Sequence, residues 1–511
     1  MDSRPARRRA SASGGAEPDD ERAWWARRLL REVLLRVEDA TPYTEVLEGL
    51  AEHVVRSGPG EFGGSFFNRL RLPEAVRLDL LRRVLPADPP PGPGPGPGPG
   101  PGPGPADRYL DAARRRLVRD PRGVQPLVAA WFGDGRTLRG RPGATVATAA
   151  QALLHTHRAL AVDDLAEALV AAAHPRADEL LAVLAEEEPA AMCRAVDRWA
   201  HDERPERRVA AATYGPAVAP HVRTPADREL LRYAARALLA RPDTALHGSA
   251  LAVLLRDPQE RARYLPQALD CFRHGGSRLP AEALVAALPL LPDPDGVFQA
   301  LRARADGEVL RALAPLTTPG LARRAAELVR DHLARHPEDA PHAAAFVDHR
   351  LDQGPVARGV LLPLVADLLR GPAVVRTALA AVLAAPGAEA SWELRGELAV
   401  VLLAAEEDPV VLDAALGALA HGAGSCPPER TRQLLRRTGR QLLRAPGGPA
   451  LFERRTVELV RAAPGFGDLL ARWLAEDAAQ TSALLGPGAR RMVETLTGRI
   501  AGPGTLDVTL A

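Results

Sequence analysis

The chain has 511 residues, of which 46 % are apolar, 25 % charged and 4 % aromatic, and its net charge is +2. That is the make-up of a soluble folded protein, and its mixed charges supply no global field to draw in polyanions. All 66 residues of the Lys+Arg total are arginine, so an ordinary Walker A loop and a pyridoxal-phosphate enzyme are excluded, since each needs a lysine amine.

The single isoleucine (Ile500) and single asparagine (Asn68) fit the codon usage of a GC-rich genome, which weakens the arginine content as a sign of nucleic-acid binding. Cys193, Cys271 and Cys426 are too far apart to suggest a disulfide framework or a zinc site, and a reducing cytoplasm is the expected setting. The N-terminus is basic but lacks the apolar core of a signal peptide. No uncharged apolar run reaches the roughly 18 residues of a membrane-span candidate.

In chain order, residues 1–21 read as a disordered polar tail. Residues 22–88 read as a small helical module, opened by the stripe Trp24, Trp25, Leu29, Leu30, Val33, Leu34 and Val37. Within it, the glycines between Gly58 and Phe67 resemble a phosphate cradle only superficially, because no strand or lysine accompanies them. Residues 89–105 hold three prolines and seven Gly-Pro repeats. With a period of two this is no collagen segment; it reads as an extended spacer that makes the N-terminal module independent of the rest of the chain. Helices are expected again from residue 106 to about 500, and residues 501–511 read as a loose tail.

Two interleaved proline series organise the long segment. One is Pro205, Pro242, Pro280, Pro319, Pro355, Pro428 and Pro464, with Ser391 where one proline is missing, a step of about 37 residues. The other is Pro189, Pro225, Pro258, Pro294, Pro337, Pro372, Pro409, Pro449 and Pro487. Proline is tolerated in the first turn of a helix and disrupts its interior, so each mark reads as a helix start. The expected fold class is all-α: a right-handed α-solenoid of antiparallel helix pairs, preceded by the small module.

The segments from Pro372 to Leu383 and from Pro409 to Leu419 align without a gap, with small residues Ala378, Ala381, Ala415 and Ala418 at helical spacing. Asp408, Pro409, Val411, Ala414, Ala415, Ala418 and Leu419 resemble the second helix of a HEAT unit, and Pro205 through Ala212 is a fainter copy. Over residues 106–500 the chain is thus similar to the HEAT and armadillo-like helical repeat superfamily. That resemblance implies a fold and a habit of binding partners, and brings no catalytic residues.

Three residue groups are candidates for function. Arg432, Arg436, Arg440 and Arg444 recur every fourth residue, so a helix would align four guanidinium groups for phosphates, acidic peptides or acidic lipid headgroups. Arg437, Arg454, Arg455 and Arg461 lie near enough in sequence to extend that patch. Asp197, Trp199 and Asp202 are the residues to consider for a nucleic-acid site, because some HEAT-like proteins are DNA glycosylases that hold a damaged nucleotide between tryptophan and acidic residues; the alternative is that Trp199 packs in the core with no second aromatic beside it. His332 and His336, near Asp331, His342, Asp348 and His349, share a helix face as metal ligands do, although a helix C-terminus also explains them.

No catalytic site, metal site or cofactor is assigned. The leading expectation is a non-catalytic cytoplasmic scaffold or adaptor that binds another protein, with an acidic peptide or nucleic acid as further candidate partners. The alternatives are a glycosylase-type enzyme and a regulatory subunit of a multi-component bacterial signalling or defence system.

Overall fold

The computed structural model describes residues 18–90, 107–274 and 279–498. The expected tails at 1–21 and 501–511 and the spacer at 89–105 lie wholly or almost wholly outside them. Among the described residues there are 28 α-helices and no strand; the only β pairing is an isolated bridge between Thr137 and Thr145. No described helix is long and apolar enough to cross a membrane. The chain forms two compact units, Met1–Val253 and Leu254–Ala511.

In the first unit the residues on the two sides of the spacer share one core. The helices Thr44–Ser57, Gly64–Arg69 and Glu74–Val84 bury Leu47, Val54, Phe66, Phe67, Leu78 and Leu81. The helix Tyr109–Arg119 packs on the latter two. Phe67 meets the Tyr109 ring edge-on at 5.9 Å, and the buried Tyr109 hydroxyl donates to the Phe62 carbonyl at 2.9 Å. The Tyr109 backbone N–H donates to the Asp88 carboxylate at 2.6 Å, and Arg116 pairs with Glu74 at 2.6 Å. The expectation of a mechanically independent module therefore needs correction. Apolar residues before the spacer find their partners after it, and the division falls at Val253 instead.

Later helices of this unit each pack on the next but one. Pro121–Ala129 packs on Val162–Ala172, Val146–Thr156 on Pro175–Glu187, Val162–Ala172 on Pro189–His201, Pro175–Glu187 on Pro205–Val218, and Pro189–His201 on Pro225–Leu239.

The proline marks act locally as the sequence suggests. Pro189, Pro205, Pro225, Pro319, Pro409, Pro428, Pro464 and Pro487 are first residues of helices. Pro280, Pro294 and Pro372 occupy N-cap positions, while Pro337, Pro355 and Pro449 fall in the first turn of a helical element. Pro242 and Pro258 lie instead in the turns ahead of the next helical elements. Ser391 replaces a proline for a visible reason. Its buried hydroxyl accepts from Arg395 Nε at 2.8 Å, and the fully buried Arg395 also reaches Asp348 and Asp352 at 2.7 and 2.8 Å and the Val382 carbonyl at 2.8 Å. A charge this deep persists only with such a complete set of partners.

The second unit contains a helix that no proline announces. Gly307–Leu313 starts where the Asp306 side chain accepts the Val309 N–H at 3.0 Å, a side-chain cap. It packs between Ala281–Ala287 and Ala340–Leu351, and the same stack continues through Ala373–Ala384, Pro409–Gly422 and Gly448–Ala462. Pro319–Leu333, Arg358–Leu368, Trp392–Ala405 and Pro428–Arg444 form a second stack. Because of the extra helix, the two proline series exchange stacks at this point. Ala281–Ala287 belongs to the first series, whereas Ala373–Ala384 in the same stack belongs to the second.

Candidate interaction surface

The helix Pro428–Arg444 forms as its sequence suggests, with Leu434, Leu435 and Leu442 buried. Gly439, an interior glycine that lowers helix propensity, has a packing role. A Cβ there would lie 2.9 Å from the Phe452 ring, so the neighbouring helix Gly448–Ala462 uses the missing side chain for close approach.

The four arginines spaced along this helix divide into two kinds. Arg432 is held inward: its side chain is 15 % exposed and pairs with Glu476 at 2.7 Å. Arg436 lies half-buried over the Trp473 ring, 5.8 Å from its centroid. Both contacts are to the helix Pro464–Glu476, so these two guanidinium groups serve helix packing. Arg440 and Arg444 are exposed, as is Arg437, and none of the three makes an ion pair with a described residue. The spacing of four identifies Arg440 and Arg444, and Arg437 joins them only as an extension of the stripe. At 100° per residue, Arg437, Arg440 and Arg444 fall within an arc of roughly 60°, whereas Arg432 and Arg436 turn toward the adjacent helix. Arg455, a second expected extension, is tied to Asp413 at 2.7 Å.

The candidates for nucleic-acid recognition are placed differently. Trp199 is only 1 % exposed; its indole N–H donates to Glu167 at 2.9 Å, and its ring meets Tyr214 edge-on at 6.2 Å. A second aromatic is thus present, contrary to expectation, but it lies in the core, where neither ring can receive a nucleotide. Tyr214 in turn donates to Asp178 at 2.7 Å. Asp202 is occupied by Arg204 at 2.6 Å, and this hydrogen bond holds its carboxyl well below the usual carboxylate range. Asp197 lies 3.5 Å from His201 and does not join Trp199 in a cleft.

His332 and His336 do come together, their rings stacked 4.9 Å apart. Each is taken by a local carboxylate, His332 by Asp339 at 2.7 Å and His336 by Glu338 at 3.2 Å. His342 packs instead against Gly307. Among the described residues no group of three His, Cys, Asp or Glu side chains gathers to hold a metal ion.

The glycine-rich loop before Gly64–Arg69 receives an internal anion. The Asp107 carboxylate accepts the Ser65 N–H at 2.8 Å and the Ser65 hydroxyl at 2.5 Å, and Phe62, Phe66 and Phe67 are buried around it. Nearby, a cleft of 610 Å³ has Leu110, Leu138 and Leu153 in its lining, with Arg114, Arg141 and Asp111 among its charged residues. The Gly140 backbone closes on Asp88 and Pro90 beside this cleft, an approach that a side chain at 140 would block.

Compared with known protein families and with curated proteins, the chain matches none.

Proposed function

We propose that the chain is a non-catalytic adaptor which holds another protein on the faces of stacked helix pairs. The observation that carries this reading is the alternate packing in both units, where each of many consecutive helices lies on the next but one. Helices packed in that manner leave their outer faces as long, regular surfaces suited to macromolecules, as in an α-solenoid similar to HEAT and armadillo-like arrays. Proline-marked helix starts and small residues such as the buried Ala415 and Ala380 support the same architecture.

The face bearing Arg437, Arg440 and Arg444 is the best-defined contact for an acidic protein partner. Guanidinium groups without internal partners need no rearrangement before meeting carboxylates. Capture with the full chain at low salt is expected to recover an acidic partner that is released as salt rises and is absent with Arg440→Glu/Arg444→Glu. The variant should melt like the parent, since both side chains are exposed. A partner retained by the variant, or no partner for the parent chain, would refute the assignment.

A further inference from the structure

The cleft beside Gly140 has walls fixed by local structure. The helix Tyr109–Arg119 forms one side and the helix Val146–Thr156 another. The second helix starts at a capping box, in which the Thr145 hydroxyl accepts the Thr148 N–H at 3.2 Å and the Thr148 hydroxyl accepts the Thr145 N–H at 2.8 Å. The turn at residues 138–144 shuts a third side: the Leu138 N–H donates to the Ala144 carbonyl at 2.9 Å, and the Arg139 N–H to the Pro86 carbonyl at 3.0 Å. Leu138, Ala149 and Leu153, all buried, give the cleft an apolar floor. Its 610 Å³ lies within the range of about 300–1,000 Å³ typical of small-molecule sites.

Two of the charged residues around the cleft neutralise each other. The buried Asp88 carboxylate accepts from Arg108 at 2.9 Å and from the Tyr109 N–H at 2.6 Å. His157 Nδ1 donates to the Leu153 carbonyl at 3.0 Å. Arg114, Arg141 and Asp111 remain, and none of their side chains has an ion pair or hydrogen bond with a described residue. Two guanidinium groups stand against one carboxylate, so the unpaired charge is positive.

We infer that this cleft binds a small organic anion, with its carboxylate or sulfonate group at Arg114 and Arg141 and an apolar body, a ring system or a short acyl chain, on the floor of Leu138, Ala149 and Leu153. An organic cation would meet both guanidinium groups with only Asp111 to offset them. A hydrated inorganic anion would leave the apolar floor uncovered. Arg114 and Arg141 are exposed at the rim, where they reach an anion without breaking an internal ion pair, and hydrogen bonds of this charge-assisted kind fix the ligand's orientation. The inference goes beyond the adaptor reading, since the cleft lies wholly within the first unit and takes a small molecule.

The test is fluorescence titration of the full chain with anilinonaphthalene sulfonate, a dye that joins an aromatic body to one anionic group. The expected result is saturable binding of a single equivalent, displaced by decanoate below its micellar concentration and not by decylamine. Arg114→Glu/Arg141→Glu should weaken the dye at least about tenfold, the loss of one or more charge-assisted hydrogen bonds. Ala152→Trp, an exposed position in the lining, should fill the cleft and abolish binding, and both variants should melt like the parent because the altered positions are exposed. Arg440→Glu/Arg444→Glu should bind the dye like the parent, which separates this cleft from the proposed adaptor face. Absence of saturable binding, equal displacement by decylamine, or parental affinity in Arg114→Glu/Arg141→Glu or in Ala152→Trp would each overturn the inference. So would loss of the dye in Arg440→Glu/Arg444→Glu.

Discussion

Replacing Phe67 by alanine tests whether the residues before and after the Gly-Pro segment fold as one body. Phe67 is fully buried, with its ring edge-on to Phe66 at 5.2 Å and to Tyr109 at 5.9 Å. Removing a buried phenyl ring costs about 3–5 kcal/mol through lost transfer energy and the cavity left behind. In a unit of this size that corresponds to a fall in melting temperature of roughly 6–20 °C. Tyr109→Phe removes the hydroxyl that satisfies the buried Phe62 carbonyl, and should cost about 1–3 kcal/mol. The informative assay is hydrogen exchange resolved by peptide. If the core is shared, Phe67→Ala must reduce protection in Tyr109–Arg119 and Pro121–Ala129 as well as in Glu74–Val84. Loss of protection confined to residues 44–84 would refute the argument. So would a fragment cut within the spacer, beginning near residue 107, that melts like the intact chain.

Asp134 supplies a pH test of the same region. Burial alone would raise its pKa, but hydrogen bonds from Arg136 and Arg82 outweigh burial and hold the carboxyl below its ordinary value of about 3.9. A depressed carboxyl pKa contributes stability above the unfolded value and loses it as pH falls through the folded one. Thermal stability of the first unit should therefore decline below about pH 4, and Asp134→Asn should flatten that decline; identical acid profiles for the two proteins would count against it. Gly439→Ala is expected to destabilise the second unit by about 1–2 kcal/mol. Overpacking against Phe452 outweighs the roughly 1 kcal/mol that alanine gains in helix propensity. A higher melting temperature in that variant would show that Phe452 moves aside freely.

The arginine stripe shows how far local spacing can be followed. A repeat of four places Arg432, Arg436, Arg440 and Arg444 along one side of a helix, and the helix forms over the expected residues. Which of them face water depends on the helix Pro464–Glu476, whose Trp473 and Glu476 lie over 35 residues farther along the chain. Trp199 follows the same logic: most of its sequence neighbours are polar or charged, while its true surroundings, Glu167 and Tyr214, come from other helices.

Helix content and many helix starts could be read from sequence because they obey short-range rules. Proline constrains its own φ and lacks an N–H, so it marks a first turn whatever lies around it. The partner of each helix was not determined in that way. The Gly307–Leu313 helix has a cap and no proline, and by entering the stack it exchanges the two proline series. The spacer suggested a break because its composition cannot build a core, yet Phe67 and Tyr109 meet across it. Composition describes a segment, whereas burial is decided by which apolar faces fit together in space. That choice, between surfaces far apart in the chain, was made only by the tertiary structure.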